Sequence, residues 1–232
     1  MKVVILCGGL GSRLSEETNK IPKPMVKIGN KPILIHIMEI YARHGFNDFI
    51  LALGYKKNII KKYFRKFSNK NWKVKLVDTG LNTLTGKRLL KLKKYIDKDS
   101  NFFLTYGDGV TDLNINSLNR FHKRSKRIAT VTAVRPPARF GELKLKKNFV
   151  SNFDEKNQIN SGWINGGFFV FNRKIFSFIP KSNTMLERNT MKNLTNKNQI
   201  VAYKHLGFWQ CMDTLRDKNL LNKIWKKNKK QW

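Results

Sequence analysis

A three-layer α/β fold, with helices on both faces of a mixed, mostly parallel sheet and a small antiparallel addition, is predicted by two observations: strand and helix periodicities alternate through the first half of the chain, and the alternation breaks down in the second. The strand runs are short and apolar or β-branched: VVIL at 3–6, DFILAL at 48–53, KVKLV at 73–77, NFFLT at 101–105 and ATVTAV at 129–134. Between them PILIHIMEIYARH (32–44), NIIKKYFRKF (58–67), RLLKLKKYI (88–96) and INSLNRFHKR (115–124) repeat apolar residues at helical spacing. His44 before Gly45 reads as the last turn of a helix and its glycine cap. Beyond Pro136 and Pro137 the pattern changes, and ELKLKK (142–147), FVSNFDE (149–155) and GGFFVFN (166–172) read as strands, some of them antiparallel. An amphipathic helix from about Thr214 to Lys227 ends the chain. The two prolines mark halves of about 1–135 and 136–232 within a single 1–232 domain, not two independent units.

Composition narrows the function classes. A chain of 232 residues with 41% hydrophobic content can bury one sizeable core. No apolar run approaches the roughly 20 residues that cross a bilayer, and the apolar start before Gly8 is too short for a signal peptide, so a cytoplasmic protein is expected. Cys7 and Cys211 lie far apart and are expected as reduced, buried thiols, and the four histidines form no zinc spacing. The net charge of +32 invites a nucleic-acid reading. Yet the lysines are spread through KKNIIKKYFRKF, KRLLKLKKY, FHKRSKR and IWKKNKKQW, and with the abundant asparagine and isoleucine they fit an A+T-rich coding drift better than a nucleic-acid surface. Such a field still steers anionic ligands toward the protein in a salt-dependent way.

The chemistry begins where the first strand empties into CGGLGSRL, followed by PKPM. Gly8, Gly9 and Gly11 let the main chain approach an anion and turn its N–H groups toward it. Ser12 adds a hydroxyl and Arg13 a planar cationic fork, while Lys23, between Pro22 and Pro24, sits on what reads as a stiff extended segment. A Walker loop would need Gly-Lys-Ser/Thr where Gly-Ser-Arg stands, and a dinucleotide fingerprint would need glycine at Leu14. In an open α/β sheet ligands bind beyond the carboxyl ends of the strands, so Gly8 and Asp108, each just after a predicted strand, should share one cleft. Asp108 lies between Gly107 and Gly109 and suits either a turn or a metal site, and Asp213 suits either a helix cap or a second metal ligand.

Taken together, GGLGSRLSEET with PKPM, LGY (53–55), DTGLNTLTGKR (78–88), YGDGV (106–110), PPARFGEL (136–143), INGGFFV (164–170) and GFWQCMDTLRD (207–217) resemble the sugar-1-phosphate nucleotidyltransferases across nearly the whole chain. Within that superfamily DTGLNT, PPARFG and FWQCMDTLRD are most similar to the glucose-1-phosphate cytidylyltransferase branch. The resemblance implies the Rossmann-like three-layer fold of nucleotide-diphospho-sugar transferases, with a nucleotide-binding first half and a sugar-binding second half. It also implies Mg²⁺-dependent formation of CDP-glucose from CTP and glucose 1-phosphate, a homo-oligomer, and a part in making surface polysaccharide. By the same resemblance Asp108 and Asp213 hold the Mg²⁺, and Arg13, Lys23 and Asp108 are catalytic. Leu6, Gly8, Gly9, Gly11, Ser12, Thr83, Arg88 and Gly107 bind the nucleotide, and Glu155, Lys156, Asn165 and Gly166 serve the sugar. A solvated Arg88 at the start of a helix remains the alternative for that residue, and a solvated surface lysine for Lys156.

The chain departs from the family pattern at several points. Asn157 follows Lys156 where proline is usual, Lys87 replaces the second glycine of TGGR, Ser12 replaces threonine, and the stretch 67–72 is short. A sister transferase using UTP, dTTP or GTP is the nearest rival reading, and a basic nucleic-acid-binding protein on the same fold is the rival from another class.

Overall fold

β1 (Lys2–Cys7) is covered on both faces, and its residues alternate between two cores. Val3, Ile5 and Cys7 join one apolar cluster, and Val4 and Leu6 the other, as a period of two requires. A computed structural model of the chain describes residues 1–97, 100–136, 142–154, 162–227 and 232, of which 142–145 and 151–154 are described as backbone.

The elements follow in chain order as α1 (Ser15–Thr18), β2 (Lys27–Ile28), β3 (Lys31–Pro32), α2 (Ile33–Ala42), β4 (Asp48–Leu53), α3 (Lys57–Lys66), β5 (Lys73–Asp78), α4 (Thr85–Lys91), β6 (Asn101–Tyr106), β7 (Gly109–Thr111) and α5 (Ile115–Ser125). Then come β8 (Ala129–Val134), β9 (Glu142–Lys146), β10 (Phe149–Asp154), β11 (Ile164–Asn172), α6 (Met191–Asn196), β12 (Ile200–His205), β13 (Trp209–Cys211) and α7 (Leu215–Lys226). Among the described residues the main sheet has seven strands in the order β12-β8-β11-β6-β1-β4-β5. Only β11 runs against its neighbours; β4, β5 and β6 are parallel to β1 and its partners, and β12 is parallel to β8. Separate antiparallel pairs, β9 with β10 and β7 with β13, make the expected addition.

This order puts a reversal at β1, because the chain proceeds outward through β4 and β5 and then returns to lay β6 on the other side of β1. The crevice beyond the carboxyl ends of β1 and β6 is therefore a topological switch point. Helix α2 is buried almost all round, which its run ILIHIMEIYA requires. Its His36 packs edge-on against Trp225 of α7, with ring centroids 4.9 Å apart, and its Nδ1 accepts from the Trp232 indole N–H at 3.2 Å. The Asn222 side chain accepts from the Gly29 N–H at 2.9 Å. Those contacts seat α7 behind the first half and carry the segment just before it, with Asp213, toward β1.

Several expectations are refined. The predicted helix at 88–96 starts earlier, at Thr85, and changes to a 3₁₀ turn over Lys93–Tyr95. α7 is capped by Thr214, whose hydroxyl accepts from the Asp217 N–H while the Asp217 carboxylate accepts from the Thr214 N–H at 2.9 Å, so Asp213 is not the cap. The short 67–72 stretch is a tight connection in which the Phe67 and Trp72 rings pack at a tilt with centroids 5.6 Å apart. β12 forms a parallel edge strand that the sequence pattern did not announce.

Candidate active site

The turn after β1 is built around two glycines. At Gly8 a Cβ would stand 2.1 Å from the Arg88 guanidinium, so the side chain beneath it leaves no room for any larger residue. Gly11 takes φ +70, and its carbonyl accepts from the Thr18 hydroxyl at 3.1 Å, which closes the loop onto α1. Ser12 and Arg13 open a 3₁₀ turn (Ser12–Leu14) and stay exposed while Leu14 is buried. Pro22 is extended as expected, but Lys23–Met25 forms a 3₁₀ turn, not an extended run, closed by the Met25 N–H donating to the Pro22 carbonyl at 2.8 Å. That turn points Lys23 inward.

Four charges meet there. The Lys23 ammonium lies 2.7 Å from Asp108 and 2.6 Å from Asp213, and the Arg13 guanidinium lies 2.8 Å from the other oxygen of Asp213. Burial lowers the Lys23 proton affinity, but Asp108 and then Asp213 more than reverse this, so the ammonium titrates above its ordinary 10.5. Burial pushes the Asp213 carboxyl up, and the Lys23 hydrogen bond and charge, with Arg13 behind, bring it below its ordinary 3.8. The Arg13 side chain is 74% exposed and free to turn toward an arriving anion. Among the described residues no three metal-ligating side chains cluster.

Two cavities join at this point. One, of about 560 Å³, is walled by Leu6, Gly8, Gly9, Gly11, Ser12, Lys23, Thr83, Arg88 and Gly107, so the predicted nucleotide residues come together. The other, of about 380 Å³, takes Asn165, Gly166, Trp209 and Asp213, and Arg13, Tyr106 and Asp108 line both. The Asn165 carboxamide accepts from the Gly167 N–H at 2.8 Å, and the Trp209 indole donates to the Gly166 carbonyl at 2.7 Å, which fixes the bulge of β11 beside the cavity. Glu155 and Lys156 lie outside the described residues.

Arg88 is not a solvated helix residue: it is 3% exposed. Its guanidinium donates to the carbonyls of Leu53 at 2.8 Å, Gly80 at 3.1 Å, Gly8 at 3.2 Å and Thr83 at 2.6 Å, and to the Thr79 hydroxyl. It therefore ties the turn after β1 to the 79–83 loop from below. Cys7 is buried and its thiol is pushed up by that burial, and the half-buried Cys211 is pushed up to about 12 by burial and then by Asp213, so neither is an ionised nucleophile near neutrality.

Sequence reasoning missed one wall of the larger cavity. Asn183 and Thr184 dock on the 82–86 loop, with the Leu84 N–H donating to the Asn183 side chain at 2.8 Å and the Gly86 N–H to the Thr184 carbonyl at 3.0 Å. This brings Met185, Glu187 and Arg188 into the cleft. Their stretch forms a π-helical turn, Leu186–Thr190, with no strand or α-helical periodicity to betray it.

A profile described as nucleotidyl transferase matches residues 2–217. The chain belongs to this nucleotidyl transferase family. It is 45% identical, over 253 aligned positions, to the glucose-1-phosphate cytidylyltransferase of Salmonella typhimurium, covering 100% of this chain and 98% of that protein. It is 42% identical to a probable glucose-1-phosphate cytidylyltransferase of Bacillus subtilis, covering 100% and 99%. HddC from Yersinia pseudotuberculosis, solved in complex with GMP-PN, superposes with a TM-score of 0.74 at 28% identity, over 97% of this chain and 99% of that one. The alignments are longer than the 232-residue chain, so the bacterial relatives carry residues it lacks. Nucleotidyltransferases of this family generally use a divalent metal. Among the described residues no helix is long and apolar enough to cross a membrane.

Proposed function

We infer that this protein is a glucose-1-phosphate cytidylyltransferase, which transfers the cytidylyl group of CTP to α-D-glucose 1-phosphate, giving CDP-glucose and pyrophosphate. The observation that carries the reading is the charge cluster of Arg13, Lys23, Asp108 and Asp213 at the junction of two cavities, one sized for a nucleotide and one for a sugar phosphate. An oxygen of the sugar phosphate attacks the α-phosphorus of CTP in line, and the bond from that phosphorus to the β-phosphate oxygen breaks. The attacking phosphate is already ionised, so no protein nucleophile is needed and catalysis rests on positioning and charge.

The N–H groups of the Gly8–Gly11 turn and the Ser12 hydroxyl bind the triphosphate, and Arg13 swings from Asp213 to the departing pyrophosphate. Lys23, whose ammonium lies between Asp108 and Asp213, would turn from them to the α-phosphate and the sugar phosphate when a cation takes its place. Asp108 and Asp213 would hold the divalent cation, read here as Mg²⁺, which neutralises phosphate charge when bound. Thr83 and Arg88, with the Leu6–Gly9 backbone, form the base end, and Asn165 and Gly166 the sugar end, joined in this reading by Glu155 and Lys156. The reading takes the chain as one domain working as a homo-oligomer, which light scattering after size exclusion would test.

The deciding assay is pyrophosphate release with Mg²⁺ and glucose 1-phosphate, offering CTP, UTP, dTTP, GTP and ATP separately beside Asp108→Asn. Preference for CTP, abolished in the variant, is expected. Preference for another nucleotide would move the base assignment to the sister reading, and no release with any would overturn the enzymatic one.

A further inference from the structure

The nucleotide cleft carries a carboxylate that the phosphates do not explain. Glu187 accepts a hydrogen bond from the Tyr106 hydroxyl on one oxygen and from the Thr85 hydroxyl, at 2.6 Å, on the other. Tyr106 leads directly into Gly107 and Asp108, the phosphate end, while Thr85 opens the helix that carries Arg88, the base end. One side chain thus bridges the two ends, between the phosphate and base positions of the proposed nucleotide site, where a ribose would sit in that reading.

Its protons are accounted for. Thr85 Oγ1 accepts from the Leu186 N–H at 2.8 Å, so its own hydrogen is directed at Glu187. The Tyr106 hydroxyl donates to the other carboxylate oxygen. Glu187 receives both hydrogens and has none to offer, while each carboxylate oxygen keeps a second acceptor position. A carboxylate repels phosphate, so the part of a nucleotide it favours is an O–H or N–H.

We propose that Glu187 accepts the ribose 2′-hydroxyl and so makes the cleft select ribonucleotides over deoxyribonucleotides. The proposal rests on the reading of this cleft as the nucleotide site. The competing donor is the exocyclic amine of cytosine, and the bond of Glu187 to Tyr106, which leads into the phosphate end, favours the sugar.

Calorimetric titration of the full chain with CTP, dCTP, UTP and dUTP in the presence of Mg²⁺ tests it, using wild type, Glu187→Ala and Glu187→Gln. Wild type is expected to bind each ribonucleotide about 10- to 100-fold tighter than its deoxy counterpart, the effect of one hydrogen bond to a charged group. Glu187→Ala should bring that ratio close to one, and Glu187→Gln, which keeps an acceptor oxygen, should lie between. If Glu187 only braces Tyr106 and Thr85, both sugars weaken alike and the ratio stands, which overturns the proposal. Loss of discrimination between CTP and UTP with the ribose ratio intact would also overturn it, in favour of the base amine. The milder glutamine variant answers if the alanine variant fails to fold. The uridine pair reads the sugar whatever the preferred base, so failure of the cytidylyl reading shows in pyrophosphate release and not in this ratio.

Discussion

Replacing Arg88 by methionine keeps most of the buried stem and deletes the guanidinium that ties together the turn after β1 and the 79–83 loop. The loss is not spread evenly over its acceptors. The Leu53 carbonyl keeps the Thr79 N–H at 3.0 Å and the Thr79 hydroxyl at 2.6 Å, and the Gly8 carbonyl keeps the Tyr55 N–H at 3.2 Å. The cost therefore falls on the carbonyls of Gly80 and Thr83, each losing a charged donor in a part-buried place. At roughly 1–3 kcal/mol for each of these two stranded acceptors the total is about 2–6 kcal/mol. A chain of this size loses about 2–4 °C in Tm per kcal/mol, so a fall of about 4–24 °C is expected. Urea and thermal unfolding, followed by circular dichroism, measure it. Arg88→Lys should not rescue, because one ammonium cannot reach the carbonyls of four residues on three backbone segments. A loss below about 1 kcal/mol, or full rescue by lysine, would refute the reasoning that Arg88 holds the two loops together.

Further outcomes follow from the same geometry. Gly8→Ala places a methyl 2.1 Å from the Arg88 guanidinium and should destabilise by about 2 kcal/mol or more, whereas Gly9→Ala meets nothing within 4 Å and should melt within about 1 °C of wild type; paired melts decide. Arg13→Ala should lower kcat by about 10²- to 10³-fold while leaving Tm nearly unchanged, since the side chain is 74% exposed; steady-state kinetics beside a melt would show the opposite split if Arg13 were structural. The depressed Asp213 carboxyl contributes stability that is complete above its ordinary 3.8 and is lost as pH falls through its lower folded value, so Asp213→Asn should flatten the acid limb of stability below that point. Burial lowers His122 from 6.5 to about 4, so its contribution is complete above 6.5 and is lost as pH falls toward 4; His122→Asn should remove that part of the pH dependence, and an unchanged curve would contradict it.

Much of the architecture was legible because it is written in local periodicity. Val3–Leu6, Asp48–Leu53 and Ala129–Val134 had to be strands in a covered sheet, and Ile33–Ala42 a buried helix, before any partner was known. The β12 strand escaped because Ile200–His205 is a half-exposed edge in which Lys204 and His205 dilute the pattern. Glu187 and Arg188 escaped for another reason: a π-turn has no sequence period of its own, and what brings them to the cleft is the docking of Asn183 and Thr184 on the 82–86 loop.

The glycine turn, the arginine and lysine after it and the two aspartates suggested a phosphate and metal chemistry, since backbone freedom and side-chain charge are properties of the residues themselves. Whether they meet was not legible in the sequence. Lys23 reaches Asp108 across 85 positions and Asp213 across 190, and only the return of β6 to the side of β1, with α7 seated on α2, closes those distances to 2.7 and 2.6 Å. Arg88 makes the same point in reverse, for its sequence neighbours suggest a solvated helix and its place in the fold makes it a buried brace. Local sequence sets which conformations and charges are available, and long-range burial decides which of them share a dielectric, a hydrogen bond or a substrate.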